Sequence, residues 1–147
     1  MTAESITLIN SLLTFVNSQT YEESFTATRG YQVYTELETS DVLTVSFFPS
    51  SVSYDQATKT ELYKNVRIFV LVRELINAST VSARDARIDE LLSFGEELYE
   101  SILSAPPSEV ALSVDVPPDE ILSFDAEHME LRNQFTQLYP LAYSTTQ

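Results

Sequence analysis

Tyr63-Lys64-Asn65-Val66-Arg67-Ile68-Phe69-Val70-Leu71-Val72-Arg73 holds the longest strongly apolar run in the chain. Side chains of a strand alternate between its two faces, so Val66, Ile68, Val70 and Val72 share one face and Arg67, Phe69, Leu71 and Arg73 the other. Only the first face is purely apolar, and it is the one predicted to meet a helical layer. The strand is predicted over about 60–73. Its most apolar part, Ile68 to Val72, is far below the length that spans a bilayer.

Upstream, Val42-Leu43-Thr44-Val45-Ser46-Phe47-Phe48 reads as a second strand, stopped by Pro49 because proline cannot donate to a ladder. Residues 49–59 are polar and too long for a tight turn, so they are predicted to form a protruding loop around Tyr54. Residues 25–34, rich in aromatics and threonine, read as another strand with a bend at Gly30, and a hairpin is the simplest link to the next strand. At the start, Ile6, Ile9, Leu12, Leu13 and Val16 recur at helical spacing, predicting an amphipathic helix over 4–18.

Downstream, Ser82-Ala83-Arg84-Asp85 has the spacing of a capping box ahead of Ile88, Leu91, Leu92, Gly95, Leu98 and Ile102, a helix that must end before Pro106-Pro107. Val110, Leu112, Val114 and Val116 alternate as in a half-buried strand, and a last strand is predicted over 133–143. The expected architecture is α+β: a mainly antiparallel sheet of about five strands with two helices packed on one face. A chain of 147 residues with this order is expected to form a single domain, 1–147.

The composition sets 8 Lys and Arg against 22 Asp and Glu, a net charge of −14, which repels nucleic acid. Thirteen of the 22 acids fall in residues 85–130, where Arg87 is the lone base; residues 56–84 hold Lys59, Lys64, Arg67, Arg73 and Arg84 against Glu61 and Glu74. These stretches are complementary, within a subunit or between neighbours.

Chemistry finds little purchase. With no cysteine and a single histidine, His128, no zinc site can be assembled, and that histidine reads as an exposed turn residue. Glu96-Glu97 and Asp119-Glu120 are adjacent pairs; neighbours on a helix point apart, so neither reads as an acid–base couple. Gly30 and Gly95 are isolated and cannot build a phosphate cradle, and the spacing of a calcium loop is absent. No enzyme activity and no cofactor are expected. The mixed face Arg67, Phe69, Leu71 and Arg73, with Tyr54, is the candidate subunit interface, because arginine and aromatics are enriched at interfaces; coverage by a second layer of the same chain is the equal alternative.

Three segments carry a resemblance. They are Phe25-Thr26-Ala27-Thr28-Arg29-Gly30-Tyr31, Leu43-Thr44-Val45-Ser46-Phe47-Phe48-Pro49, and the run from Tyr63 to Val72. Together with Glu127-His128-Met129-Glu130-Leu131-Arg132-Asn133-Gln134-Phe135-Thr136, they resemble small proteins of phage and prophage structural modules, similar to tail terminators and neck proteins of the head–tail junction. The similarity covers roughly residues 20–140. The chain departs from the family at Gly30, where a basic residue is usual, and over 105–120. The resemblance implies a homo-oligomeric ring, a hexamer, working with other neck and tail-tube proteins in the virion after synthesis in the host cytoplasm. DNA would only pass through its lumen, and no membrane is involved. A head-closure or adaptor protein is the alternative within that class, and a small acidic DNA-mimic binding module the alternative outside it.

In such a ring, apolar contacts around Phe69 and Leu71 would let salt promote assembly by screening self-repulsion, and this is the expected outcome, because the summed like charge greatly exceeds what the five basic residues of 56–84 can offset. Pairing of the basic and acidic stretches would let salt oppose it.

Overall fold

The computed structural model describes residues 4–30, 43–56, 62–104, 113–114, 123–124, 129 and 133–146. In chain order these form α1 (Glu4–Ser18), β1 (Ala27–Arg29), β2 (Thr44–Gln56), β3 (Leu62–Leu75), α2 (Val81–Ser104), β4 (Ser113–Val114), β5 (Ser123–Phe124) and β6 (Gln134–Thr146). The fold is α+β. One sheet runs β1-β2-β3-β6-β4, and β5 also pairs with β6. Every pairing is antiparallel except β1 with β2.

β3 is the central strand, paired with β2 on one edge and β6 on the other along nearly its whole length. Its alternation places Val66, Ile68, Val70 and Val72 in the core, where α1 contributes Leu8, Ile9, Leu12 and Val16 and α2 contributes Leu91, Phe94, Leu98 and Ile102. Both helices therefore cover the same face, because both present a stripe at three-and-four spacing to the one purely apolar surface on offer. Phe47 opposite Val70 and Tyr139 on its other side extend that surface across the sheet. No helix among the described residues is long and apolar enough to cross a membrane.

Four expectations need correction. Pro49 does not end β2: the strand passes through it by way of a register shift between Pro49 and Ser51, and continues to Gln56. Proline is tolerated at bulges and on edges, and residues 49–56 of the stretch read as a protruding loop are instead the outer part of β2, paired with β3 and with Tyr54 in the strand; residues 57–59 lie outside the described residues. β1 does not form a hairpin with β2 but lies parallel to it, Ala27 opposite Val45. The intervening stretch 30–43 is long enough for the return of about a dozen residues that a parallel pair requires. The cap of α2 is Thr80, whose Oγ1 accepts from the Ala83 amide at 3.1 Å, two residues ahead of Ser82. Residues 31–42, 110–112, 115–120, 125–128 and 130–132, which include His128 and Asp119-Glu120, lie outside the described residues.

The outer edge of β1 is sealed by a side chain. Asn17 at the end of α1 donates from Nδ2 to the Ala27 carbonyl (3.1 Å) and accepts at Oδ1 from the Ala27 amide (2.8 Å), so its amide stands in for a neighbouring strand. Asn133 enters β6 with φ 53°, the left-handed region that asparagine tolerates, while its carbonyl accepts from the Ile76 amide at 2.8 Å.

The Tyr143 hydroxyl is buried without a hydrogen-bond partner among the described residues, but the buried carboxylate at the margin of the core is paired. Glu74 is 5 % exposed at the end of the apolar stripe of β3. Arg87 on α2 grips it in a fork, Nε to Oε2 at 2.7 Å and Nη2 to Oε1 at 2.6 Å, and also donates to Glu90 (2.8 Å) and to Glu23. Hydrogen bonding to Glu74 is the main cause holding the guanidinium pKa above its ordinary value, against the burial that lowers it. This pair joins the two stretches with signs opposite to their overall charge: the base comes from the acidic stretch and the buried acid from the basic one.

A second polar pair explains a glycine. The Tyr139 hydroxyl donates to Gln137 Oε1 at 3.0 Å beneath α2, and a Cβ at Gly95 would overlap both atoms. Gly95→Ala should lower the thermal midpoint by several degrees, although alanine favours a helix by about 1 kcal/mol. A midpoint that holds or rises in a melting experiment would contradict the packing. Arg87→Met, which strands the buried Glu74 carboxylate, should cost about 3–5 kcal/mol in urea unfolding. Glu90→Gln, at an exposed carboxylate, should cost under about 1 kcal/mol. Equal costs would show that the fork to Glu74 is not the anchor.

Candidate subunit interface

β2 and β3 hold 13 and 14 residues, well beyond the five or six usual for a strand, and about 45 Å long at the usual rise. Helical cover reaches only part of that length. Val45, Phe47, Val66, Ile68 and Val70 are fully buried, whereas residues 50–54 are exposed, with Val52 at 43 % and Tyr54 at 58 %. The outer half of the hairpin therefore stands beyond the helical layer as an arm. Ser50, left over at the bulge, shifts the alternation: before it Val45 and Phe47 face the helices, and after it Val52 and Tyr54 do, opposite Val66 and Lys64. The Lys64 ammonium lies 5.8 Å from the centre of the Tyr54 ring, in cation–π range.

The five candidate interface residues do not form one patch. Arg67 is exposed and Phe69 half-buried on the face away from the helices, but on that same face Leu71 is completely buried and Arg73 is 7 % exposed, both inside the subunit. Burial also pushes the Arg73 pKa down. Tyr54 is on the opposite face, beside Lys64. The expectation of a continuous mixed interface is thus corrected: Leu71 and Arg73 belong to the subunit's own packing, and Arg67 and Tyr54 occupy the two sides of the arm.

A second surface escaped the residue-by-residue search. Glu22, Glu96, Glu97 and Glu100 surround a shallow groove on the solvent side of α2, with serines between them. The signal was present, since Ser93, Glu96, Glu97, Glu100, Ser101 and Ser104 follow one another at helical spacing on one face. Glu97 Oε1 accepts from the Glu22 amide at 3.3 Å, and Tyr21 bonds Ser101 at 3.0 Å while stacking with Phe25 and Phe94, so the segment after α1 is pinned to this helix. Burial is the main cause raising the Tyr21 pKa, with a smaller contribution from Glu97.

Glu96 and Glu97 line the groove together with Ser93, Ser101 and Ser104. Among the described residues no group of three acidic or imidazole side chains is placed to hold a metal ion. The Tyr139 and Tyr143 hydroxyls are buried, which raises both pKa values, with Glu96 adding to the first and Tyr99 to the second; they are part of the core and reach no open site. Comparison with protein-family models and with curated proteins returned no match.

Proposed function

We propose that this chain is a structural ring subunit of a phage head–tail junction, a tail terminator, that acts through contacts with its own copies and with neck and tail-tube proteins of the virion. The observation that supports it most is the arm: a hairpin carried past its own hydrophobic layer, with an exposed valine and tyrosine at its outer half, is a surface built for another chain. The net charge of −14 fits a lumen through which DNA slides without adhering. A head-closure or adaptor role in the same junction uses the same features. The reading from another class, a DNA mimic that binds a basic partner, draws on Glu22, Glu96, Glu97 and Glu100 around their groove.

Sedimentation velocity with negative-stain imaging, on the protein alone and with tail-tube protein, separates these readings. Closed rings are the expected result. A species that stays monomeric at every concentration and salt, also with the tube protein present, would overturn the ring reading, and tight monomeric binding to a basic protein would favour the mimic. Binding to duplex DNA at about 0.15 M salt should be undetectable at micromolar protein. Measurable micromolar affinity by fluorescence anisotropy would remove the non-adhesive lumen.

A further inference from the structure

We infer that the outer edge of β2, from Ser51 to Asp55, pairs antiparallel with the same edge of a second copy of this chain, about a two-fold axis at Ser53.

The ladder fixes which backbone groups face outward. The Phe47 carbonyl accepts from the Gly30 amide at 2.9 Å, so Phe47 faces the β1 edge and Phe48, opposite Phe69, faces β3. Along β3, which keeps an unbroken register with β6, Phe69, Arg67 and Asn65 then face β2 in turn. Beyond the bulge their partners Ser51 and Ser53 bond inward, so Val52 and Tyr54 turn amide and carbonyl away from β3. Among the described residues no strand lies on that side: β1 covers β2 from Val45 to Phe47, Gly30 adds its bond to Phe47, and residues 50–54 are exposed.

Proteins usually guard such edges. β1 is guarded at Ala27, whose amide and carbonyl are both taken by the Asn17 side chain. The outer part of β2 has no such cover among the described residues, and Ser51-Val52-Ser53-Tyr54 holds neither proline nor charge. An edge of this kind accepts an added strand through main-chain hydrogen bonds.

Charge and side-chain fit select a second copy as that strand. In a chain of −14 most pairs of surfaces would oppose carboxylates, whereas residues 49–56 carry one charge, Asp55. Pairing about Ser53 sets Val52 of each copy beside Tyr54 of the other on the helical face, an aromatic and β-branched pair that favours cross-strand contact. Both side chains are exposed in the single chain, at 43 % and 58 %, and each covers the other. On the opposite face Ser53 meets Ser53 and Asp55 meets Ser51, so no like charges are opposed. The contact is isologous and is used up in a pair, so it goes beyond the ring reading and does not depend on it.

Proline at position 52 tests the pairing without touching the β2–β3 ladder, because the amide it removes faces outward. Dimers are expected in sedimentation velocity of the wild type. Val52→Pro should melt like the wild type where both are monomeric, while its dimer dissociation constant rises about tenfold or more, since each dimer loses two hydrogen bonds. Ser53→Pro, which removes a bond to β3, should instead lower the melting temperature. Hydrogen exchange on the wild type needs no variant: the Val52 and Tyr54 amides should gain protection as concentration rises, with the Ser53 amide protected throughout. Exchange at Val52 and Tyr54 that ignores concentration would overturn the pairing, as would a Val52→Pro protein that dimerises as tightly as the wild type. Dimers without rings would uphold the pairing and count against the ring reading; rings with both amides unprotected would do the reverse.

Discussion

The structure depends on a constraint borne by β3. With β2 and β6 bonded to its two edges, its side chains have only the two faces of the sheet to occupy, and one face is apolar without interruption from Val66 to Val72. Burying four branched side chains there contributes on the order of 1.5–3 kcal/mol each, and here helices with a matching stripe do it. That requirement brings α1 and α2, far apart in the sequence, onto the same side. It also explains where a charge is permitted on the face: Glu74 comes at its end, where the Arg87 fork from α2 meets it and turns the limit of the apolar stripe into a bond between helix and sheet.

The arm follows from the same geometry. The helices cover the middle of the sheet, and strands as long as β2 and β3 must emerge from beneath them. An isolated two-stranded ribbon is marginally stable in water, so its outer half relies on continuity with the covered half, on the Lys64 contact with Tyr54 and on the partnering of Lys64, Asn65 and Val66 with β6. Exposed valine and tyrosine on such a ribbon incur a solubility cost that a partner would relieve.

Much of this was legible in the sequence where the information is local. The stripe Ile9, Leu12, Val16 located α1, and the alternation of Val66 to Val72 identified the buried face of β3, because both depend only on spacing along the chain. What local spacing does not encode was missed. Pro49 reads locally as a stop because a lost donor is costly inside a ladder, yet beside a bulge the ladder is already interrupted. The direction of β1 depends on the path of residues between strands, not on β1 itself. Leu71 looked like an interface residue since its neighbours Arg67 and Phe69 have that character, but its burial depends on what the rest of the chain lays over that face. The acidic groove combines Glu22 with Glu96 and Glu100, residues that only the docking of the Tyr21 segment onto α2 brings together.

Gly95 has a consequence for precision. A helix lying on aliphatic side chains can slide or roll with little penalty, since one methyl contact replaces another. The Tyr139 hydroxyl and Gln137 amide occupy the notch that Gly95 leaves in α2, and every other position along that face carries a Cβ that would collide with them. The notch therefore acts as a keyway that indexes the helix against the sheet in both height and rotation. Glu96 and Glu100 follow directly after it, so their position relative to the arm is set by a mechanical stop instead of an average over sliding states.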